Sequence, residues 1–133
     1  MTRYLLDTNI ISELVRNPQG QCAKRIIKVG EETICTSIIV AAELRYGCAK
    51  SRSSRLINAV EALLGEIEVL PFEAPADAEY GVVRSELEAV GTPIGGNDLL
   101  IAAHAKSIDA VVVTGNTDEF KRVRGLKVEN WLI

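Results

Sequence analysis

No C-x-x-C pair occurs in this sequence, and its three cysteines, Cys22, Cys35 and Cys48, are odd in number and widely spaced. That excludes a disulfide framework and a thiolate zinc site and leaves free thiols, buried or half-buried. No apolar run is long enough to span a bilayer, and the N-terminus lacks the cationic start and apolar core of a signal peptide. A cytoplasmic protein without membrane association is the expectation. Basic residues are not in excess: 15 Lys and Arg stand against 18 Asp and Glu, a net charge of −3. Whole-domain charge therefore carries no signature of nucleic-acid binding, and any such role rests on local clusters. The sequence also lacks a G-x-S-x-G elbow around Ser12 or Ser37 and a G-x-x-x-x-G-K-[ST] loop. Gly91, Gly95 and Gly96 form no dinucleotide fingerprint, so serine-nucleophile and nucleotide-binding enzymes drop out. The only histidine, His104, has no supporting base or nucleophile nearby and reads as a packed or surface residue.

What is present fits one compact domain over residues 1–133, with 47% apolar and 25% charged residues and no internal repeat. Short β-type runs at Tyr4–Leu6, Thr33–Thr36, Ile67–Leu70, Ala110–Thr114 and Lys127–Glu129 alternate with helical patterns. Ile38–Lys50 reads as a helix behind a Thr36-Ser37 start. Leu56, Val60, Leu63 and Leu64 make a stripe stopping at Gly65, and Tyr80, Val83, Leu87 and Val90 one stopping at Gly91. Asp98–Ser107 is almost wholly apolar after its first residue and predicts a core helix. Alternation of this kind predicts an α/β fold, a mainly parallel sheet of about five strands with helices on both faces. In such sheets, sites form beyond the carboxyl ends of strands where strand order reverses. Asp7, ending the first run, and Asn116, just past the fourth, fall at such ends.

Three acids stand out from their surroundings. Asp7 ends an apolar run and begins Asp7-Thr8-Asn9; a helix cap accounts for it locally, and a metal ligand or catalytic acid is the sharper alternative. Glu43 sits in Ile38-Ile39-Val40-Ala41-Ala42-Glu43-Leu44, with little polar face to occupy. Asp98 follows Gly95-Gly96-Asn97; the helix dipole is a sufficient structural reason for it, while the glycines leave its carboxylate accessible. Asn116, Asp118 and Glu119 lie near the fourth strand. Oxygen-only donors of this kind select Mg²⁺ or Mn²⁺ over zinc, and carboxylates gathered in one pocket repel one another unless a cation joins them. With one, they can activate water and offset charge on a phosphodiester.

These residues, in this order, resemble the PIN domain, and more narrowly the VapC-type toxins of bacterial toxin–antitoxin pairs. The resemblance runs through Leu6-Asp7-Thr8-Asn9-Ile10, Ala42-Glu43-Leu44-Arg45-Tyr46-Gly47 and Asn97-Asp98-Leu99-Leu100-Ile101-Ala102-Ala103-His104-Ala105. It continues through Val113-Thr114-Gly115-Asn116-Thr117-Asp118-Glu119-Phe120 and Gly125-Leu126-Lys127-Val128-Glu129-Asn130-Trp131. It implies a Mg²⁺- or Mn²⁺-dependent endoribonuclease, usually a homodimer, that cuts structured RNA, often transfer RNA, and is blocked by a VapB-type antitoxin. By position, Asp7, Glu43 and Asp98 would be the metal-binding acids, with Thr8 ordering the site. The departure is Asn116, where many relatives carry a fourth acid. Its amide can offer a carbonyl oxygen or orient water, and Glu119, one turn on, can supply the carboxylate instead.

For RNA, two basic clusters are available: Arg45, Lys50, Arg52 and Arg55, and then Lys121, Arg122, Arg124 and Lys127. Solubilising surface charge is the plainer account of both; flanking an acidic centre to hold phosphates is the functional one. Tyr46 and Tyr80 are the few aromatics open to stacking, which favours recognition of RNA shape and backbone. Two other functions compete. One is a non-catalytic PIN-like module that binds RNA or protein. The other is a phosphohydrolase with Asp7 as nucleophile, disfavoured by Asn9 where a second acid is needed.

Overall fold

A computed structural model describes all residues, 1–133. Five strands form one sheet: β1 (Tyr4–Leu6), β2 (Ile34–Ser37), β3 (Glu68–Leu70), β4 (Val111–Val113) and β5 (Lys127–Glu129). All four pairings are parallel and the order is β3-β2-β1-β4-β5. Leu5 is the centre of the register, opposite Cys35 on one side and Val112 on the other. β2 and β4 are buried at every position, as expected of strands covered on both faces.

Seven α-helices connect the strands: α1 (Thr8–Arg16), α2 (Gln21–Val29), α3 (Ile38–Ser51), α4 (Ser54–Glu66), α5 (Ala76–Ala89), α6 (Gly96–Ser107) and α7 (Thr117–Phe120). Right-handed crossovers put α1 to α4 on one face and α5 to α7 on the other. The packing agrees: α1 contacts α2, α3 and α4, while α5 packs on α6 and α6 on α7. α6 carries the core of its layer, with Leu99 and the run Ile101–Ala105 buried.

The expected strands are all present, β1 and β5 with the expected bounds and the other three with ends shifted by one residue. Thr33 belongs to a 3₁₀ turn over Glu31–Thr33 and not to the strand, and Ser37 closes β2. Gly65 does not stop α4. The helix runs through Glu66, and Gly65 keeps ordinary helical backbone with no left-handed turn. Gly91 does end α5. Its φ of +72° is left-handed, and Thr92 N–H bonds back to Leu87 C=O across it, the 6→1 closure of a Schellman turn. Ala74-Pro75 is cis, just before α5. No helix is long and apolar enough to cross a membrane.

Strand order reverses between β1 and β4, which opens a crevice beyond their carboxyl ends. Asp7 N–H still bonds Val113 C=O at 2.9 Å, and Thr114 N–H bonds Glu129 C=O at 2.9 Å. The ladder thus continues one residue past each strand and fixes Asp7 beside Thr114.

Candidate metal centre

Asp7 is only 4% exposed. It caps α1, its Oδ1 accepting from Thr8 N–H at 2.8 Å, and its Oδ2 accepts from the Thr114 hydroxyl at 2.7 Å. Cap and strand-end acid are therefore the same residue. Burial pushes its carboxyl above the usual range; the bonds from Thr114 and Thr8 pull against that, and the charge of Glu43 adds to it.

Thr8 opens α1 and donates its hydroxyl to Glu43 Oε1 at 2.6 Å. Glu43 comes from the second turn of α3, half-buried, and its Oε2 accepts from Asn97 Nδ2 at 3.1 Å. One acid from α3 is thus tied to the start of α1 and to the start of α6.

Asp98 sits in the first turn of α6, whose cap, Gly95, makes no side-chain bond. Its Oδ2 accepts from Asn116 Nδ2 at 3.0 Å. Burial, the hydrogen bond shared with Glu119, and the charges of Asp7, Glu119 and Glu43 push its carboxyl up to about 7. Glu119, more open to solvent, goes the other way: the bond with Asp98 and that from Asn116 hold it below the usual carboxylate range. Of this pair, Asp98 keeps the proton, because it is the more buried and the closer to the other acids.

The cleft that results has a volume of about 410 Å³ and is lined by Asp7, Thr8, Asn9, Ser12, Arg16, Glu43, Asp98 and Asn116, with no apolar residue. Sequence reasoning named Asp7, Thr8, Glu43, Asp98 and Asn116 as site residues. It missed the roles of Asn9, Ser12 and Arg16. Asn9 Oδ1 accepts from Gly115 N–H at 2.9 Å and clips α1 to the loop after β4. A Cβ at Gly115 would meet the end of the Leu132 side chain at 2.7 Å, so a larger residue there would turn that side chain aside. Thr8, Ser12 and Arg16 recur every fourth residue opposite the buried Ile10, Ile11 and Leu14, a pattern readable in the sequence.

Asn116 plays a part different from a carbonyl donor. Its amide N–H₂ points at the acids, bonding Asp98 Oδ2 and Glu119 Oε2 at 3.0 Å each. Asp118 is exposed and outside the cleft.

The basic residues divide. Arg45 is paired with Glu61 and so is partly neutralised. Arg52, left-handed at φ +57°, and Arg55 lie beyond the far end of α3. Nine residue steps, roughly 13 Å of helix rise, separate Glu43 from Arg52, and none of Arg45, Arg52 and Arg55 is among the residues lining the cleft. Arg122 is nearer: it follows Glu119 by three residues, and its Nη1 donates to Pro93 C=O at 3.0 Å, beside the Gly95-Gly96 start of α6. Lys121 is exposed and carries no ion pair with a carboxylate. Tyr46 is 68% exposed, while Tyr80 accepts from Arg84 at 3.0 Å. His104 is a core residue, 2% exposed, with Nδ1 at 2.7 Å from Ser37 Oγ and its ring edge-on to Phe72.

The donor set suits a hard dication: oxygen donors, three of them acids, from the start of α1, the second turn of α3 and the first turn of α6, with Asp98 raised chiefly by its burial and further by the acids around it. The spacing is less complete. No three acids approach closely enough to hold one ion between them, since each is engaged by Thr8, Thr114, Asn97 or Asn116.

Comparison with known proteins assigns the fold a family. Residues 4–126 match the PIN domain. The chain is 40% identical over 130 residues to "Ribonuclease VapC2" of Rickettsia felis, spanning 96% of this chain and 97% of the relative. It is 36% identical over 132 residues to "tRNA(fMet)-specific endonuclease VapC" of Shigella flexneri, spanning 98% and 99%. Among solved structures, VapBC2 of Rickettsia felis bound to a DNA fragment from its promoter superposes with a TM-score of 0.90 at 37% identity, covering 98% of this chain and 99% of that one. A match over nearly all of the chain, with the acids gathered at the β1/β4 crevice, shows that the protein belongs to the PIN-domain family and, within it, to the VapC group.

Proposed function

We propose that the protein is a Mg²⁺- or Mn²⁺-dependent endoribonuclease toxin that cuts structured RNA, a transfer RNA in the first instance, and stops translation in the cytoplasm until a VapB-type antitoxin restrains it. The observation that carries this reading is the convergence of Asp7, Glu43 and Asp98, from three separate parts of the chain, on one wholly polar cleft at the β1/β4 crevice. The names of the VapC relatives, one specific for initiator transfer RNA, support the choice of RNA and of substrate.

When bound, a hard dication at these acids offsets charge developing on the phosphodiester and eases loss of a proton from the attacking water. The chain's own residues prepare for that. Asp7 is held rigid by Thr8 N–H and the Thr114 hydroxyl. Thr8 aims Glu43 into the cleft and Asn97 holds its other oxygen. Asn116 steadies Asp98 and Glu119 with its amide, donating to both. Proton and cation compete for Asp98, so affinity for the ion rises with pH.

Two surfaces suit the proposed partners. Ile38 and Tyr46 on α3 and Val82 and Val90 on and after α5 are exposed and apolar, which favours a homodimer. A groove of about 530 Å³ between α1, α2 and α4, lined by Leu14, Ile26, Ile27 and Leu63, can take apolar side chains of an antitoxin. The VapBC assemblies among its structural relatives favour that partner.

The test is incubation of an initiator transfer RNA transcript with wild type and Asp98→Asn in Mn²⁺. Metal-dependent cleavage by wild type, reduced roughly a hundredfold or more in the variant, is expected, since even the groups around metal ligands cost about 10–100-fold when removed. RNA bound equally by both and cut by neither would make the protein a non-catalytic binding module.

A further inference from the structure

We infer that Arg16 grips a phosphate of the RNA backbone beside the one that is cut, and that Glu13 holds the guanidinium in place until RNA arrives. The inference deepens the ribonuclease reading and rests on it. An acidic cleft that must receive a polyanion needs a cation within it, and Arg16 is the one cation among the residues lining it. The clusters at Arg45, Arg52 and Arg55 are paired or remote, and Arg122 bonds Pro93 on the rim.

The placement follows from α1. Thr8, Ser12 and Arg16 share a face at four-residue intervals, so Arg16 starts roughly 12 Å along the axis from Thr8. Side chains on a helix lean toward its N-terminus, which carries the guanidinium back toward Asp7 and Glu43. Its side chain is 66% exposed and is held by one contact, Nη2 to Glu13 Oε1 at 3.2 Å. Glu13 has a second partner, Asn17 Nδ2 at 2.6 Å, and so is not stranded when Arg16 swings away. The guanidinium has five N–H donors, and the contact with Glu13 leaves enough of them free for a forked bond to a phosphate. A chain of phosphates entering the cleft thus meets a cation that is rooted about two helical turns from Thr8 and reaches back toward the acids.

The test measures cleavage of the initiator transfer RNA transcript in Mn²⁺ across about 50–200 mM KCl, with wild type, Arg16→Gln and Arg16→Lys. Arg16→Gln should raise KM about tenfold or more and leave kcat within about twofold. Its dependence of log(kcat/KM) on log salt should be shallower by about one phosphate contact. Arg16→Lys should restore the slope and only part of the affinity, because lysine lacks the fork. A KM change without a slope change would show a structural role and overturn the contact. Unchanged KM and slope in Arg16→Gln, with wild type active, would overturn the inference alone. Absence of cleavage by wild type would remove the ribonuclease reading and this inference together.

Discussion

Asp7 at the end of β1 and Ser37 at the end of β2 occupy equivalent places. Both are buried, 4% and 0% exposed, and each caps the helix that follows: Asp7 accepts from Thr8 N–H, and Ser37 from Ile39 N–H at 3.0 Å. Both also meet a residue from a later part of the chain. Ser37 finds His104, neutral and closed over by Phe72, and the pair is complete. Asp7 finds Thr114, but also the charges of Glu43 and Asp98, and opens into a cleft. One backbone arrangement yields a finished polar joint where the side chains are neutral and an unfinished centre where acids accumulate. The unfinished end is the one at which the cation is proposed to bind.

Substitutions at the two ends should therefore act in opposite directions. Ser37→Ala removes a cap and leaves His104 Nδ1 without its partner, a loss of roughly 2 kcal/mol or more. Asp7→Asn keeps the shape and removes a charge, so the chelator-treated protein should melt no lower than wild type. Urea or thermal unfolding of both variants checks this, and an Asp7→Asn loss as large as that of Ser37→Ala would break the comparison.

pH sharpens it. Asp98 is raised from 3.8 to about 7 and Asp7 is raised as well, so across that window the folded protein holds protons that the unfolded chain has released. Stability of the metal-free protein from these groups is full below about pH 3.8 and falls as pH rises toward 7. Burial holds His104 below its ordinary 6.5, so its contribution is present above 6.5 and is lost as pH falls through the folded value. In chelator, wild type should lose stability between pH 5 and 8, whereas Asp7→Asn/Asp98→Asn should gain it over the lower part of that range. Melting curves at four or five pH values decide the sign.

The smallest effects are expected at Asn116 and Glu119. Asn116→Asp replaces two N–H bonds with a further negative charge, so the metal-free protein should lose about 1 kcal/mol while the ion binds more tightly. Glu119→Gln should leave cleavage nearly unchanged, because Mg²⁺ keeps several waters and needs few carboxylates. Rates across a Mn²⁺ titration check both; a large loss in correctly folded Glu119→Gln would assign it as a ligand.

Much of this was readable before the structure, for reasons that differ by residue. The parallel sheet followed from strands alternating with helices, and the strand-end position of Asp7 and Asn116 followed from that. Glu43 declared itself by having no polar face to occupy. α2 gave little signal, since Gly20 makes no side-chain cap and Cys22 is the helix's only buried residue. The remoteness of Arg52 and Arg55 depends on the length and direction of α3, which charge clustering does not encode. The amide orientation of Asn116 depends on Asp98 and Glu119 arriving together, a contact across the chain that no local pattern predicts.

The central claim is the proposal that Asp7, Glu43 and Asp98, held apart by their present hydrogen bonds, close together on one cation when it binds. Thermal unfolding of wild type, Asp7→Asn and Asp98→Asn with and without Mn²⁺ tests it without reference to any RNA. At about a hundredfold excess over Kd, wild type should gain roughly 2.7 kcal/mol, and both variants should gain far less. An equal rise in all three would contradict the shared site.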